Sequence, residues 1–438
     1  MKKLAYLLTL TSTIFATVTG WQTPSIINSS VSGTPTGFGL NIDASGNGVV
    51  LFGTNTPSLN ASAGTIITDI DAGTTLSAPC GIGISGTASF TALWLDTSDV
   101  LHTRPFTFAG TLGERTQLAT GVSGNPAAFP QIHSTPAGNM YAVFSPSAEN
   151  ALLARYYTAS TDTWASQFPI VSDNINGTAF TVNAGNILLA TWVNDGNSLR
   201  AVFFDGSTEQ GSEKGITNSV DTNSSPSVAA QVKTTDTGGL FLAAYKHTDG
   251  GAYANVHSET LTDEWEGEEK LSGVGETVVD GQISCVMSPA GNGLVAWRVD
   301  DNTLRAAIYL ASIGEFSATS TLVEGVDTIG GLASGSDGTF TITYDTTENS
   351  VKVHKSITIT PPSTVASPLT IWTATSTNVS GPLLAINPRG TVGVSAWIDN
   401  GTSIYKTISI GTGNHGASSG NLFRKGKNAL RLKSKPYR

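Results

Sequence analysis

The sequence predicts an all-β chain folded as an eight-bladed β-propeller with four strands in each blade. Three observations carry that prediction. The composition suits short strands and tight turns, a glycine-centred turn recurs eight times, and the segment after the leader completes the last repeat. Glycine occurs 48 times in 438 residues, charged residues make up 13% and there are three methionines. Helices are built from long, straight-chain and charged residues, whereas strands joined by turns draw on Gly, Ser, Thr and β-branched side chains. No stretch of useful length shows a helical spacing of apolar residues.

The recurring turn is centred on Gly46, Gly86, Gly138, Gly185, Gly238, Gly291, Gly338 and Gly390, at intervals of 40 to 53 residues. Self-similarity at such a period marks a propeller or solenoid. Six residues before each anchor stand Leu40, Cys80, Ile132, Ala179, Val232, Cys285, Leu332 and Leu384, all apolar or Cys. Six to eight residues after it stand Phe52, Trp94, Phe144, Trp192, Tyr245, Trp297, Tyr344 and Trp397, all aromatic in a chain that is 8% aromatic. These eight are expected to be the wedges that pack one blade on the next, because aromatics bury the most apolar area per residue.

Each unit reads as four strands. The first precedes the anchor ("GQISCVM"), and the second follows it and ends in the aromatic ("GLVAW"). A turn such as "NDGNS" or "DDNT" supplies the Asn, Asp and Gly that a tight hairpin needs. The third strand is of the type "LRAVFF" or "LRAAIY", and the fourth carries a late aromatic: Trp164, Trp265, Phe316 or Trp372. The last unit has three strands only, and "WQTPSII" at Trp21 is a fourth strand without the other three. The N-terminal strand therefore closes the last blade, which removes the open ends of the array. Seven blades is the alternative count, since the second unit is the shortest and its "SGTASFTALW" lacks Gly-Asn.

Met1-Lys2-Lys3, an apolar run from Leu4 to Val18 and small residues before Trp21 read as a signal peptide over residues 1–20. The propeller is assigned to 21–412, and 413–438 to a Gly/Ser linker and a basic tail. An exported product, in the periplasm, at the outer surface or outside the cell, is expected, with no transmembrane span and as a monomer. The last 15 residues carry seven positive charges and no acid. Setting those aside with Lys2 and Lys3 leaves 14 basic residues against 33 acidic ones, about −19 for the body. So acidic a body excludes nucleic acid as its partner, since phosphate binding needs a basic face. Arg424, Lys425, Lys427, Arg431 and Lys433 are the tail residues expected to touch an anionic envelope surface, with a solvated terminus as the other reading.

The Gly-Asn and aromatic columns resemble those of exported bacterial β-propeller repeat proteins, a largely uncharacterised group, over roughly residues 21–412. The Leu-x-Ala third strand followed by a Trp-initiated fourth is similar to the strand plan of propeller lectins. WD-repeat and kelch signatures are absent.

Arg200 and Arg305 hold matching places in the third strands, with His102 and Lys352 in the corresponding slots of other blades. Alternation turns each Arg away from the Leu/Ala face, where it serves either as a donor for a glycan in an interblade pocket or as a salt-bridged strand residue. Trp21, Trp164, Trp265 and Trp372 on outer strands are candidates for stacking on a sugar or for packing. Cys80 and Cys285 sit four blades apart, too far for the roughly 6 Å a disulfide spans, and are expected to be buried thiols. No His-Glu-x-x-His, Cys-x-x-Cys, calcium loop or nucleophile elbow in a strand-to-helix setting occurs, so neither a metal, a cofactor nor a catalytic residue is assigned. The expected function is binding or scaffolding of a protein or glycan partner through rim loops and interblade grooves. The alternative is a glycan-processing hydrolase or lyase with its site at the central channel.

Overall fold

A computed structural model describes residues 20–410, apart from 56–57, 73–80, 124–129, 148–150, 173–174, 232–238, 258–263, 375–382 and 388–390. The expected leader up to residue 19, Cys80, Val232, the anchors Gly238 and Gly390 and the basic tail lie outside the described residues. Strands form eight separate antiparallel sheets, each ordered from an innermost first strand outward. Blades 1 to 7 span 35–72, 81–120, 131–171, 177–217, 227–270, 278–323 and 326–373. Blade 8 is built from Leu383–Ile386, Val392–Asp399 and Ser403–Ile410, and Ser25–Ile26 supplies its fourth strand. Eight blades are present, so the alternative of seven is overturned.

The turn chemistry explains why the repeats fold alike. In blade 1 the amide of Gly46 donates to the Asp43 carbonyl, and Asp43 Oδ1 accepts from the amides of Ser45 and Asn47. Asn183 caps the equivalent turn of blade 4, and Asn387 that of blade 8. Gly46, Gly138, Gly291 and Gly338 all have φ between +80° and +88°, the left-handed residue that closes a three-residue hairpin. The next hairpin repeats the device with Asp99, Asn197, Asn302 and Asn400 at positive φ, as "NDGNS"-type turns require.

Gly138 is constrained twice. Its φ is +87°, and an added Cβ would lie 2.5 Å from the backbone oxygen of Ser85 in blade 2. Gly338 has a similar φ with nothing within 4 Å of such a Cβ. Gly338→Ala should therefore cost only the left-handed penalty of about 1–2 kcal/mol. Gly138→Ala should cost on the order of 3 kcal/mol, because the blades must also separate. Urea unfolding of the two variants checks this, and equal losses would show that the inner strands are not closely apposed.

Blade 2 departs from the expected register. Its first hairpin turns at Thr87-Ala88, with Ala88 at φ +53°, so Gly86 ends the strand rather than occupying the turn. The innermost apolar column accordingly runs through Ile82, not Cys80. In blade 4 it falls on Phe180, which pairs with Ala190, one residue beyond Ala179. In blade 5 it falls on Val228, which pairs with Ala243.

Every aromatic of the wedge column is at most 1% exposed. Trp94 packs with Val49 and Leu51 of blade 1, and Tyr245 with Leu189 and Phe203 of blade 4. Trp297 packs with Leu242 and Ala244 of blade 5. Each wedge thus fills the seam toward the preceding blade, and the hydrophobic core is a ring of interblade seams rather than one centre. Among the described residues no helix is long and apolar enough to cross a membrane.

Candidate functional site

Two candidate surfaces arise from this geometry. The first is the central channel, a cavity of about 520 Å³ bounded by the first strands of all eight blades. The wall is polar on one side of the ring and apolar on the other. Blades 1, 3 and 4 contribute Asn41, His133 and Thr181, whereas the same level of blades 5 to 8 carries Ala229, Val286, Ala333 and Ala385. Among the described residues the wall holds no Asp, Glu, Lys or Arg. Burial lowers the pKa of His133 to about 4, so its ring is neutral near pH 7, and Nε2 lies 3.1 Å from Gln131 Oε1. Cys285 is a buried free thiol in this wall, and burial pushes its pKa up to about 12, too high for a thiolate nucleophile.

The second is the set of outer interblade grooves. Arg200 and Arg305 stand directly opposite Trp192 and Trp297 on the neighbouring strand. Arg200 Nε is 3.8 Å from Glu213 Oε1 on the fourth strand of its own blade. Arg305 Nη2 is 2.9 Å from Glu276, in the connector entering from blade 5, and Nη1 donates to Thr321 Oγ1 at 2.6 Å. Both guanidinium groups are partly exposed. The matching slot of blade 2 holds His102, opposite Trp94. In blade 7 it holds Lys355, opposite Tyr344, rather than Lys352, because pairing in this hairpin continues to Glu348 and Val351, so its strands run further before turning than in the other blades.

Blade 2 builds a related cluster that sequence reasoning missed. Arg115 lies over the Trp94 ring at 5.7 Å, contacts His102, and pairs with Asp71 of blade 1 at 3.0 Å. Asp96 Oδ2 lies 2.9 Å from His102 Nε2. Burial works to raise the Asp96 pKa, but the Val100 amide and His102 outweigh it and hold the carboxyl below its usual value. Asp71 and Arg115 belong to different blades, and no local spacing could have joined them.

The wedge column shows a two-blade alternation. Blades 2, 4, 6 and 8 use Trp94, Trp192, Trp297 and Trp397, while blades 1, 3, 5 and 7 use Phe52, Phe144, Tyr245 and Tyr344. The His102, Arg200 and Arg305 slots fall on the tryptophan blades 2, 4 and 6, and blade 8 has Tyr405 there.

The outer tryptophans do not converge on one site. Trp164 is half-buried with its ring 5.3 Å from Tyr157, and Trp265 is buried against His257. Trp21 donates from Nε1 to Ser356 Oγ in blade 7 at 2.8 Å. These three occupy equivalent places opposite the end of a third strand. Trp372 does not. Val365 holds that place in blade 7, and Trp372 lies on the following strand opposite His354, with its ring 4.8 Å from Tyr405 of blade 8. The outer strand is split in two in blades 3, 6 and 7; the aromatic falls on the first piece in blades 3 and 6, at Trp164 and Phe316, and on the second piece in blade 7. Among the described residues no group of three or more His, Cys, Asp or Glu side chains could hold a metal ion.

No protein-family model matches the chain, and no curated protein matches it significantly. Solved structures do. The Dos1 propeller superposes with a TM-score of 0.57 at 10% identity, covering 90% of this chain and 96% of that one. The WD40 domain of SCAP from fission yeast gives 0.54 at 8% identity, covering 90% and 95%. The BP39L lectin from Burkholderia pseudomallei gives 0.53 at 14% identity, covering 76% and 94%. At such identities the likeness is one of architecture: the chain is an eight-bladed β-propeller.

Proposed function

We propose that this protein is an exported, non-enzymatic binding propeller that recognises a glycan in the interblade grooves of blades 2, 4 and 6. The observation that carries the reading is the pairing of a guanidinium with a carboxylate at the same strand slot of blades 4 and 6, at a partly exposed position. A donor fork beside an acceptor matches the vicinal hydroxyls of a sugar, which both donate and accept. Because each positive charge already faces a negative one, a neutral polyhydroxyl ligand fits better than a phosphate. The fold likeness to a lectin agrees with this reading. The hydrolase or lyase alternative would need carboxylates at the channel, and the described wall residues provide none.

The double variant Arg200→Ala/Arg305→Ala should bind glycan at least tenfold more weakly on an array and in titration, since each lost charge-assisted hydrogen bond is worth about 1.5–3 kcal/mol. The fold should persist, because partly exposed ion pairs contribute about 1 kcal/mol or less. Undiminished binding by a folded double variant refutes the groove reading. Loss of binding on removal of residues 421–438 alone would instead assign it to charge attraction by the tail. An array with no hits would turn attention to a protein partner.

A further inference from the structure

The geometry points to a second, separate binding site: the central channel as a receptor for a small neutral molecule, largely apolar, with one hydroxyl or carbonyl group directed toward blade 3. This site is independent of the grooves.

Its size comes first. About 520 Å³ falls within the range of small-molecule sites, and concave apolar walls with a few polar groups are their usual form. The small side chains of Ala229, Ala333 and Ala385 leave the space beside blades 5, 7 and 8 unfilled. Chemistry narrows the ligand. Leu332, Leu384, Val228, Val286 and Met287 make one side of the wall apolar. A charged ligand would lose its hydration there with no opposite charge to meet, at a cost of several kcal/mol. A purely hydrocarbon ligand would offer nothing to the polar side, with the hydroxyls of Ser134 and Thr181 and the second ring nitrogen of His133, whose Nε2 is held by Gln131 Oε1. His133 is neutral when buried, so its imidazole offers a hydrogen bond without a charge. Asn41 is already committed: its amide donates to the Ile82 carbonyl and its oxygen accepts from the Ile42 amide. The polar recognition is thereby confined to one arc of the ring.

The test uses the full chain and N-phenyl-1-naphthylamine, a neutral dye that brightens in apolar surroundings, with 1-naphthol as a competitor that adds a hydroxyl. Thr181→Phe and Ala385→Phe place a ring in the channel from opposite blades, at half-buried positions facing the cavity. Circular dichroism and thermal unfolding confirm the fold of each, and either folded variant suffices. The expected result is saturable one-to-one enhancement by the wild type, weakened at least tenfold by a filled channel. His133→Phe is expected to weaken displacement by 1-naphthol about fivefold while retaining the dye. Absence of saturable binding by the wild type, or full binding by a folded, filled variant, overturns the proposal. So does dye binding with unchanged naphthol displacement in His133→Phe, since it removes the polar arc.

Discussion

A chain lacking residues 20–28 should lose most of its stability, because those residues are structural parts of blade 8 rather than an appendage. The amides of Ile27 and Gln22 donate to the carbonyls of Ile404 and Ile408. Asn28 clamps the strand end from both sides, donating to the Thr402 carbonyl and accepting from the Ile404 amide. Thr407 and Ser409 donate to the carbonyls of Gln22 and Gly20, and Trp21 reaches Ser356 in the next blade. At about 1 kcal/mol for each net hydrogen bond, and about 2 for the buried Ile27, the loss is on the order of 5–10 kcal/mol. That is comparable with the whole stability of a typical domain. The third strand of blade 8, Ser403–Ile410, would also become an open edge and invite aggregation. Thermal unfolding should show a large fall in the midpoint, partly restored by adding a synthetic peptide of residues 20–30. An unchanged midpoint would mean that closure does not depend on this strand.

The second large effect concerns Lys406, on that same third strand and opposite Ser25. Its side chain is buried, with Nζ donating to the Gly64 carbonyl of blade 1 at 3.1 Å. Burial pushes its pKa down from 10.5 to about 8. Below pH 8 the amine is charged in both the folded and unfolded chain, and folding must bury that charge. Between pH 8 and 10.5 the unfolded chain holds the proton and the folded chain releases it, so stability rises with pH through that window. The full change is about 3 kcal/mol. Lys406→Met should therefore be more stable than the wild type at pH 7, on the order of 2 kcal/mol after the lost hydrogen bond. The advantage should vanish by pH 10. Comparing the two proteins isolates this lysine from tyrosines such as Tyr245 and Tyr344, whose burial raises their pKa values and which act in the opposite direction above pH 10. A stability difference that is constant from pH 7 to 10 would rule out Lys406 as the cause.

Much of the architecture was legible in the sequence because it is written in local chemistry repeated many times. The turns at Gly46, Gly138, Gly291 and Gly338, the wedge aromatics and the N-terminal fourth strand landed where the pattern placed them, whereas Ala88 and Asn186 take the left-handed place expected of Gly86 and Gly185. Errors arose where a repeat changes length. The two-residue turn at Thr87-Ala88 shifted the blade 2 column by two positions, from Cys80 to Ile82. Blade 7 carries Trp372 on the second piece of its outer strand, unlike Trp164 and Phe316 in blades 3 and 6, and its longer central hairpin put Lys355 where Lys352 was expected. The grooves were half legible. Arg200 and Arg305 were visible as repeated residues, but Glu276 and Asp71 come from connectors and neighbouring blades, and only the packing of one blade on the next brings them into reach. The alternation of tryptophan with phenylalanine or tyrosine is present in the aromatic column itself, yet it gains meaning only once Arg200 and Arg305 are found opposite tryptophans.

The clamp between Asn28 and Ile404 joins residues 376 positions apart. Seams between successive blades form from neighbouring stretches of chain, so seven of the eight can assemble in step with synthesis. The eighth cannot. Its outer strand is made before any other strand of the ring and has no edge to join until Ser403–Ile410 exists, seven blades later. Contacts of such long sequence separation are slow to form, because the intervening chain must be ordered before they return any free energy. The nascent propeller is thus an open crescent carrying a spare strand at one end and a bare edge at the other. Any second molecule at the same stage offers the same pair, so crowded folding favours exchange of this strand between chains. The strand made first is the strand used last.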